Sequence, residues 1–309
     1  MHVFRPLFSG YMDQSFHDQE KKMITGQGFT YHSLNLPESS EKVVLLSNSN
    51  LDYKSLSNSL ISRIELVIHA NSGFDNISTS DLKQLGKPVI IGNEIRKLAV
   101  SEFILHCLLR ESSNPPFQKA WDKKRSWQRK LINELNIQIL GGGHIGQTIL
   151  TVLETLACKP LLYDPFLDEN QLDLKQADVI ICTQSLNSTS YHFLNDERFS
   201  SLKKDCLIIN GARGELIEEK ALLEFLKSNS EARCYLDVYN TEPYNGELFQ
   251  LDNCFCSSHV AGVWSGLNSK VLDFESQVLN DYTSLDEKDF LRRYEKCNLQ
   301  NRIREKDII

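Results

Sequence analysis

The chain has no long block of lysines and arginines, and its acids outnumber its bases. Asp and Glu number 41 against 34 Lys and Arg, a formal net charge of −7. A nucleic-acid groove ordinarily shows as a basic stripe, so no DNA or RNA partner is expected. An acidic chain still holds anionic ligands, because backbone N–H groups and single arginines act locally. No apolar run approaches the ~18 residues needed to cross a bilayer, so no membrane association is expected either. The opening MHVFRPLFSGYMDQSF lacks a cationic flank followed by an apolar core. It does not read as a secretory signal, and a cytoplasmic location is the expectation. Paired cysteines are also lacking. The eight, at 107, 158, 182, 206, 234, 254, 256 and 297, are scattered, several inside apolar strands. Only Cys254 and Cys256 lie close, and their neighbourhood supplies no further ligands, so they read as reduced core thiols with no metal site. There is no internal repeat and no low-complexity segment.

What is present is an ordinary globular composition, 309 residues with 41% hydrophobic and 24% charged, long enough for about two domains. From about residue 43 short apolar runs alternate with helical stretches, the pattern of an α/β fold. Strands are expected at Lys42–Leu46, Leu66–His69 and Pro88–Ile91, and more regularly at Ile137–Leu140, Pro160–Tyr163, Val179–Cys182, Cys206–Ile209, Cys234–Val238 and Cys254–Ser257. Near-continuous apolar runs suit parallel strands covered on both faces. Helices are expected over Lys97–Arg110, Gln147–Ala157 and Glu218–Lys227. The polar, proline-containing stretch Glu111–Trp127 reads as a domain crossing. The charged tail Asp286–Ile309 reads as a surface helix followed by a loose end.

The strongest local signal is the run Ile137–Leu140 into Gly141-Gly142-Gly143-His144-Ile145-Gly146, a G-x-G-x-x-G turn between a strand and a helix. Gly141 permits the tight bend, Gly143 lets a pyrophosphate approach the backbone, and Gly146 lets helix and strand pack closely. The helix start, with His144 and Ile145, offers N–H groups and partial positive charge to phosphates. Alone the motif is weak. The confirming acid is Asp164, ending the next strand 18 residues after Gly146, close to the ~20 expected. A carboxylate there accepts from ribose hydroxyls and repels a 2′-phosphate, so the expected cofactor is NAD rather than NADP.

Three later strands end in groups suited to one reaction: Asn210-Gly211-Ala212-Arg213-Gly214, Asp237-Val238-Tyr239-Asn240-Thr241-Glu242-Pro243, and Ser257-Ser258-His259-Val260-Ala261-Gly262. Ligands of open α/β sheets bind at that strand edge. Each residue has a bland alternative: a surface ion pair for Arg213, a loop Glu-Pro, a turn histidine. The three together, 29 and 17 residues apart, favour function.

In this order, GGGHIG, NGARG, LDVYNTEP and HVAG resemble the D-isomer-specific 2-hydroxyacid dehydrogenases, over roughly Val67 to Gly262. The resemblance implies two α/β domains. A doubly wound parallel-sheet Rossmann domain at 95–263 is inserted into a smaller flavodoxin-like α/β substrate domain made of 1–94 and 264–309. It further implies a homodimer and a hydride exchanged between NAD and a small D-2-hydroxy or 2-keto acid. His259 would be the general acid and base, Glu242 its hydrogen-bond partner, and Arg213 the group that pairs with the substrate carboxylate and polarises the carbonyl. Asp237 would contact the nicotinamide amide. Cys182–Thr189 resembles a cofactor-lining loop, which puts Thr183 at the cofactor. The loop Asn71-Ser72-Gly73 resembles the substrate loop, whose main-chain N–H groups hold the carboxylate. Asn71 stands where glycine is common, Ser101 where alanine is usual, and Ser185 and Ser258 where prolines are usual, which loosens two loops without removing a reactive group. The alternative function is an NAD(H)-sensing or corepressor-like protein that keeps the fold without turnover.

Overall fold

The computed structural model describes residues 1–38, 40–113, 117, 119–121, 123, 130–167, 171–304 and 307–308. Most of the proline-containing stretch at 111–127, Trp127 included, lies outside them, as does Ile309. The strands are β1 (His2–Arg5), β2 (Thr30–Ser33), β3 (Val43–Ser47), β4 (Ile64–His69), β5 (Val89–Ile91), β6 (Ile137–Leu140), β7 (Leu161–Tyr163), β8 (Val179–Cys182), β9 (Leu207–Asn210), β10 (Arg233–Leu236) and β11 (Cys254–Cys256), followed by the two-residue strands β12 (Ile303–Arg304) and β13 (Asp307–Ile308). The helices are α1 (Gln14–Gly26), α2 (Asn58–Ile61), α3 (Thr79–Leu85), α4 (Asn93–Ser112), α5 (His144–Thr155), α6 (Asp196–Ser201), α7 (Glu219–Ser228), α8 (Leu267–Ser284) and α9 (Glu287–Arg293). The chain divides into two units, one formed by Met1–Arg96 with Val263–Ile309 and the other by Lys97–Gly262. Among the described residues no helix is long and apolar enough to cross a membrane.

The first unit carries a parallel sheet in the order β2-β1-β3-β4-β5, the flavodoxin-like arrangement. Alternate residues of a strand face opposite sides. Leu45, Val67 and Ile91 accordingly join one apolar layer, closed by Leu82 and Leu85 of α3. Val44, Leu66, Ile68 and Ile90 join the other, closed by Val278 and Leu279 of α8 and by Phe290 of α9. The expected surface helix in the tail is present as α9, largely exposed and anchored by Phe290, with Tyr294 just beyond it buried too; the expected loose end is what the structure corrects. The segment after it is also held. The Asn298 side chain accepts from Val89 N at 3.2 Å, Leu299 packs in the core, and β12 pairs antiparallel with β13.

Strand β1 ends in a charge that the interior fully encloses. Arg5 Nη2 meets Glu275 of α8 at 2.5 Å and Glu20 of α1 at 2.6 Å, and Tyr31 donates to Glu20. Burial pushes the Glu275 carboxyl well above the usual range, a shift that Arg5 opposes and Glu20 reinforces. The guanidinium thus meets two carboxyl groups inside the fold, so its buried charge is not left without an acidic partner.

The second unit carries six parallel strands in the order β11-β10-β9-β8-β6-β7. Leu140, Ile180, Ile208 and Leu236 face a layer completed by Leu222 and Leu226 of α7. Ile139, Ile181 and Ile209 face the other, completed by Ile104 and Leu108 of α4 and by Ile149 and Leu153 of α5. Strand order reverses between β7–β6 and β8, so the turn leaving β6 stands at a topological switch point, where open α/β sheets bind ligands.

Candidate active site

The turn after β6 is shaped by what its glycines admit. Gly141 has φ +107°, a conformation that side chains resist. A Cβ at Gly146 would lie 1.9 Å from the Gly141 carbonyl oxygen, so only glycine lets α5 start this close to the strand end. Thr183, just past β8, donates from Oγ1 to the carbonyls of Leu140 and Gly141 at 3.0 and 2.8 Å and fastens the bend. The cap of α5, Gly143, offers its first turn no side-chain acceptor, and a Cβ there would meet nothing within 4 Å. His144 and Ile145 form that first turn. This is an open cradle with helix-start N–H groups, which fits a dinucleotide pyrophosphate.

Asp164 follows β7 and folds back over the turn. Its Oδ2 accepts from Gly142 N at 2.7 Å and its Oδ1 from Phe166 N at 3.0 Å. The carboxylate is thereby anchored beside the glycine bend, where it places negative charge.

The second group lies beyond β9, β10 and β11. Asn210, the last residue of β9, is buried and ties the following bend, donating to Arg213 O at 2.8 Å and accepting from Ala212 N at 3.0 Å. Arg213 Nη1 donates to Ala212 O at 2.6 Å. A Cβ at Gly214 would lie 2.0 Å from the Tyr239 carbonyl carbon. The arginine bend therefore packs directly on the main chain that leads from β10 towards Glu242. Glu242 Oε1 in turn accepts from Tyr239 N at 3.1 Å, and its Oε2 lies 2.8 Å from His259 Nδ1. A carboxylate only accepts, so Nδ1 carries the hydrogen and Nε2 is left for a ligand. The imidazole is half-exposed, its side chain 53% accessible.

His259 has φ +54°, unusual for a side chain of its size. Such strain costs of order 1–3 kcal/mol and persists only where surroundings over-determine it. Asp237 does this. Its carbonyl accepts from His259 N at 2.8 Å, and its carboxylate accepts from Val260 N, Ala261 N and Ser257 Oγ at 2.7, 2.8 and 2.7 Å. Asp237, expected at the nicotinamide amide, is 1% exposed and spends its carboxylate holding the histidine loop. Tyr239 Oη adds a bond to Ser257 O at 2.7 Å. Ser258, standing where a proline is usual, thus lies in a loop fastened by hydrogen bonds. Ser185 is treated the same way, its carbonyl accepting from Ser190 Oγ at 2.7 Å. Ser101 is buried, and among the described residues its hydroxyl meets no partner, as suits a position where alanine is usual.

The loop Asn71-Ser72-Gly73 belongs to the first unit, after β4. Beneath it a directional chain is buried. Tyr53 Oη donates to Ser47 Oγ at 2.7 Å, Ser47 meets His69 Nδ1 at 3.0 Å, and His69 Nε2 lies 2.8 Å from Gly73 O. The carbonyl can only accept, so Nε2 bears the hydrogen and Nδ1 receives the serine hydroxyl. Burial pushes His69 down to about 4, which keeps it neutral, although the Gly73 bond pulls the other way. His69, Asn210 and Asp237 position the loops. Only the polar identity of each at a strand's C-terminal end signals this in the sequence.

Residues 109–261 match the sequence model of the D-isomer specific 2-hydroxyacid dehydrogenase, NAD binding domain. Those residues belong to the D-isomer-specific 2-hydroxyacid dehydrogenase family. Among the chain's curated relatives, the D-3-phosphoglycerate dehydrogenase of Methanocaldococcus jannaschii is 28% identical over 217 residues, 64% of this chain and 41% of that protein. The 2-hydroxyacid dehydrogenase A of Aspergillus oryzae is 29% identical over 248 residues, 72% of this chain and 70% of that protein. The chain thus matches less than half the length of the Methanocaldococcus relative. In fold it is similar to the D-lactate dehydrogenase of Aquifex aeolicus solved with NAD and lactic acid, with a TM-score of 0.70, 18% identity, and coverage of 97% of this chain and 99% of that one.

Proposed function

We propose that the chain is an NAD-dependent oxidoreductase that moves a hydride between the nicotinamide and a small D-2-hydroxy acid or 2-keto acid. The observation that carries this reading is the His259–Glu242 pair at 2.8 Å, held by a strained backbone at the C-terminal edge of a sheet that also bears the glycine turn. NAD, when bound, supplies or accepts the hydride at C4 of its ring. The protein's own groups do the rest. His259 gives a proton from Nε2 to the carbonyl oxygen in reduction and takes it back in oxidation, while Glu242 keeps Nδ1 protonated and stabilises the imidazolium. Arg213 pairs with the substrate carboxylate and withdraws charge from the carbonyl oxygen. In the first unit, main-chain N–H groups of Asn71, Ser72 and Gly73 hold a substrate carboxylate. Gly141, Gly143, His144, Ile145 and Gly146 cradle the pyrophosphate, Thr183 fixes that turn, and Asp164 takes the adenosine ribose. The names of the two curated relatives, both dehydrogenases, support the reaction class. The family likeness supports a homodimer, and eight free thiols support a reducing, cytoplasmic setting.

The test is a panel of 2-keto acids offered with NADH and with NADPH. At least one acid should be reduced, and NADH should be preferred by at least about tenfold, because the Asp164 charge repels a 2′-phosphate. Asp164→Ala should narrow that preference. Tight NADH binding with no acid consumed would replace this reading by nucleotide sensing. Equal use of NADPH by the parent would remove the role given to Asp164.

A further inference from the structure

Four strands of the first unit each send one polar side chain to a single cluster at their C-terminal ends. Tyr11 follows β1, Ser49 follows β3, Asn71 follows β4, and Arg96 follows β5 in the first turn of α4. Arg96 Nη1 donates to Ala70 O at 2.9 Å and Nη2 to Tyr11 Oη at 2.6 Å. Tyr11 Oη donates on to Asn71 Oδ1 at 3.4 Å, and Asn71 Nδ2 to Ser49 Oγ at 2.5 Å. The Arg96 guanidinium also lies 5.3 Å from the centre of the Tyr11 ring. Tyr11, Asn71 and Arg96 are half-buried and Ser49 is exposed, so the cluster opens to solvent.

Acids are in excess, yet among the described residues no carboxylate pairs with Arg96; its hydrogen bonds go to neutral oxygens. A guanidinium has five N–H donors, and two are used here. Three residues earlier, on the same helix start, Asn93 is 7% exposed, and among the described residues its Nδ2 meets no acceptor. Residues three apart in a helix lie on one face, and the helix start adds partial positive charge. Arginine presents its donors in a planar fork that matches a carboxylate or a phosphate.

We propose that Arg96 is a specificity-determining residue that receives a second anionic group, a distal carboxylate or a phosphate, on the 2-keto or 2-hydroxy acid. This rests on the reading that the adjoining Asn71–Gly73 loop holds the substrate's own carboxylate. The preferred substrates are then dianionic acids, and Tyr11 and Asn71 serve as the neutral wall that keeps the Arg96 fork turned outward.

The test compares acids with and without a second anionic group by kcat/KM with NADH: oxaloacetate against 2-ketobutyrate, 2-ketoglutarate against 2-ketohexanoate, and phosphohydroxypyruvate against hydroxypyruvate. In the parent one dianionic class should exceed its partner by about 10- to 100-fold, the worth of a charge-assisted hydrogen bond. The first two pairs report a carboxylate and the third a phosphate. In Arg96→Gln, which keeps donors for Ala70 and Tyr11, that ratio should collapse to within about threefold, chiefly through KM. In Arg96→Lys, which keeps the charge but not the fork, the ratio should be intermediate. A parent that does not favour any dianion overturns the proposal while leaving the dehydrogenase reading intact. So does a ratio unchanged in Arg96→Gln, or a loss equal for both members of a pair, which would put Arg96 on the first carboxylate. Absence of turnover with every acid fails the reading under which the proposal stands.

Discussion

Replacing His259 by glutamine should lower keto-acid reduction by about 10²–10⁴-fold in kcat, the range contributed by a positioned general acid. Binding of NADH should change little, since the glycine turn and Asp164 are separate from the histidine loop. Glutamine retains a hydrogen-bond donor but cannot release a proton to the carbonyl oxygen. The loss therefore isolates proton transfer from mere contact. Stopped-flow reduction under saturating NADH is the measurement. A variant as active as the parent would remove His259 from the chemistry. The conformation matters as well as the ring. The left-handed backbone at His259 depends on the four acceptor contacts made by Asp237, two of them to the peptide N–H groups of Val260 and Ala261.

Arg213→Gln should cost still more in kcat/KM, about 10³-fold or beyond, because two effects are lost together. The carboxylate loses a charge-assisted fork, and the carbonyl oxygen loses a fixed positive charge that matters more as it becomes an alkoxide. Removing one preorganised donor of this kind ordinarily costs 10²–10³ in kcat. Arg213→Lys should recover only part, since an ammonium is a point charge without the planar fork. The affinity for NADH, read by fluorescence titration, should stay within about twofold. Unchanged turnover in Arg213→Gln would contradict the role. A parallel loss of NADH affinity would instead show that the bend after β9 serves the cofactor.

Much of the second unit was legible because its strands are buried on both faces. Runs such as Ile137–Leu140 and Val179–Cys182 are almost wholly apolar and start and stop where the structure places β6 and β8. The glycine turn was legible for a related reason, since backbone geometry there admits few residue types. The first unit gave less. Strand β1 is four residues ending in Arg5, whose burial depends on Glu20 and Glu275, the latter 270 residues away. Strand β2 is polar and partly exposed, as an edge strand can be. Helix α8 buries a narrow stripe that includes Glu275, so its sequence looks polar. The tail looked loose because its anchors, Asn298 on β5 and Leu299 in the core, make sense only beside a strand that is distant in sequence.

At the site, residue types were readable and their supports were not. Arg213, Glu242 and His259 each end a strand, and that edge is where chemistry gathers. That Asp237 would turn inward to hold a loop, or that His69 would stand neutral under Gly73, follows from tertiary approach alone. The Gly214 position is similar. Its need for glycine arises from the Tyr239 main chain packed against it, which sequence spacing does not reveal.

The central claim is a direct hydride transfer to C2 of a 2-keto acid, delivered to give the D-isomer. Reduction with NADH deuterated at C4 on the transferring face, followed by NMR and chiral analysis of the product, measures this directly. One deuterium at C2 of a D-2-hydroxy acid, with none exchanged from solvent, is the predicted result. A product lacking deuterium at C2, or one of L configuration, would contradict the account.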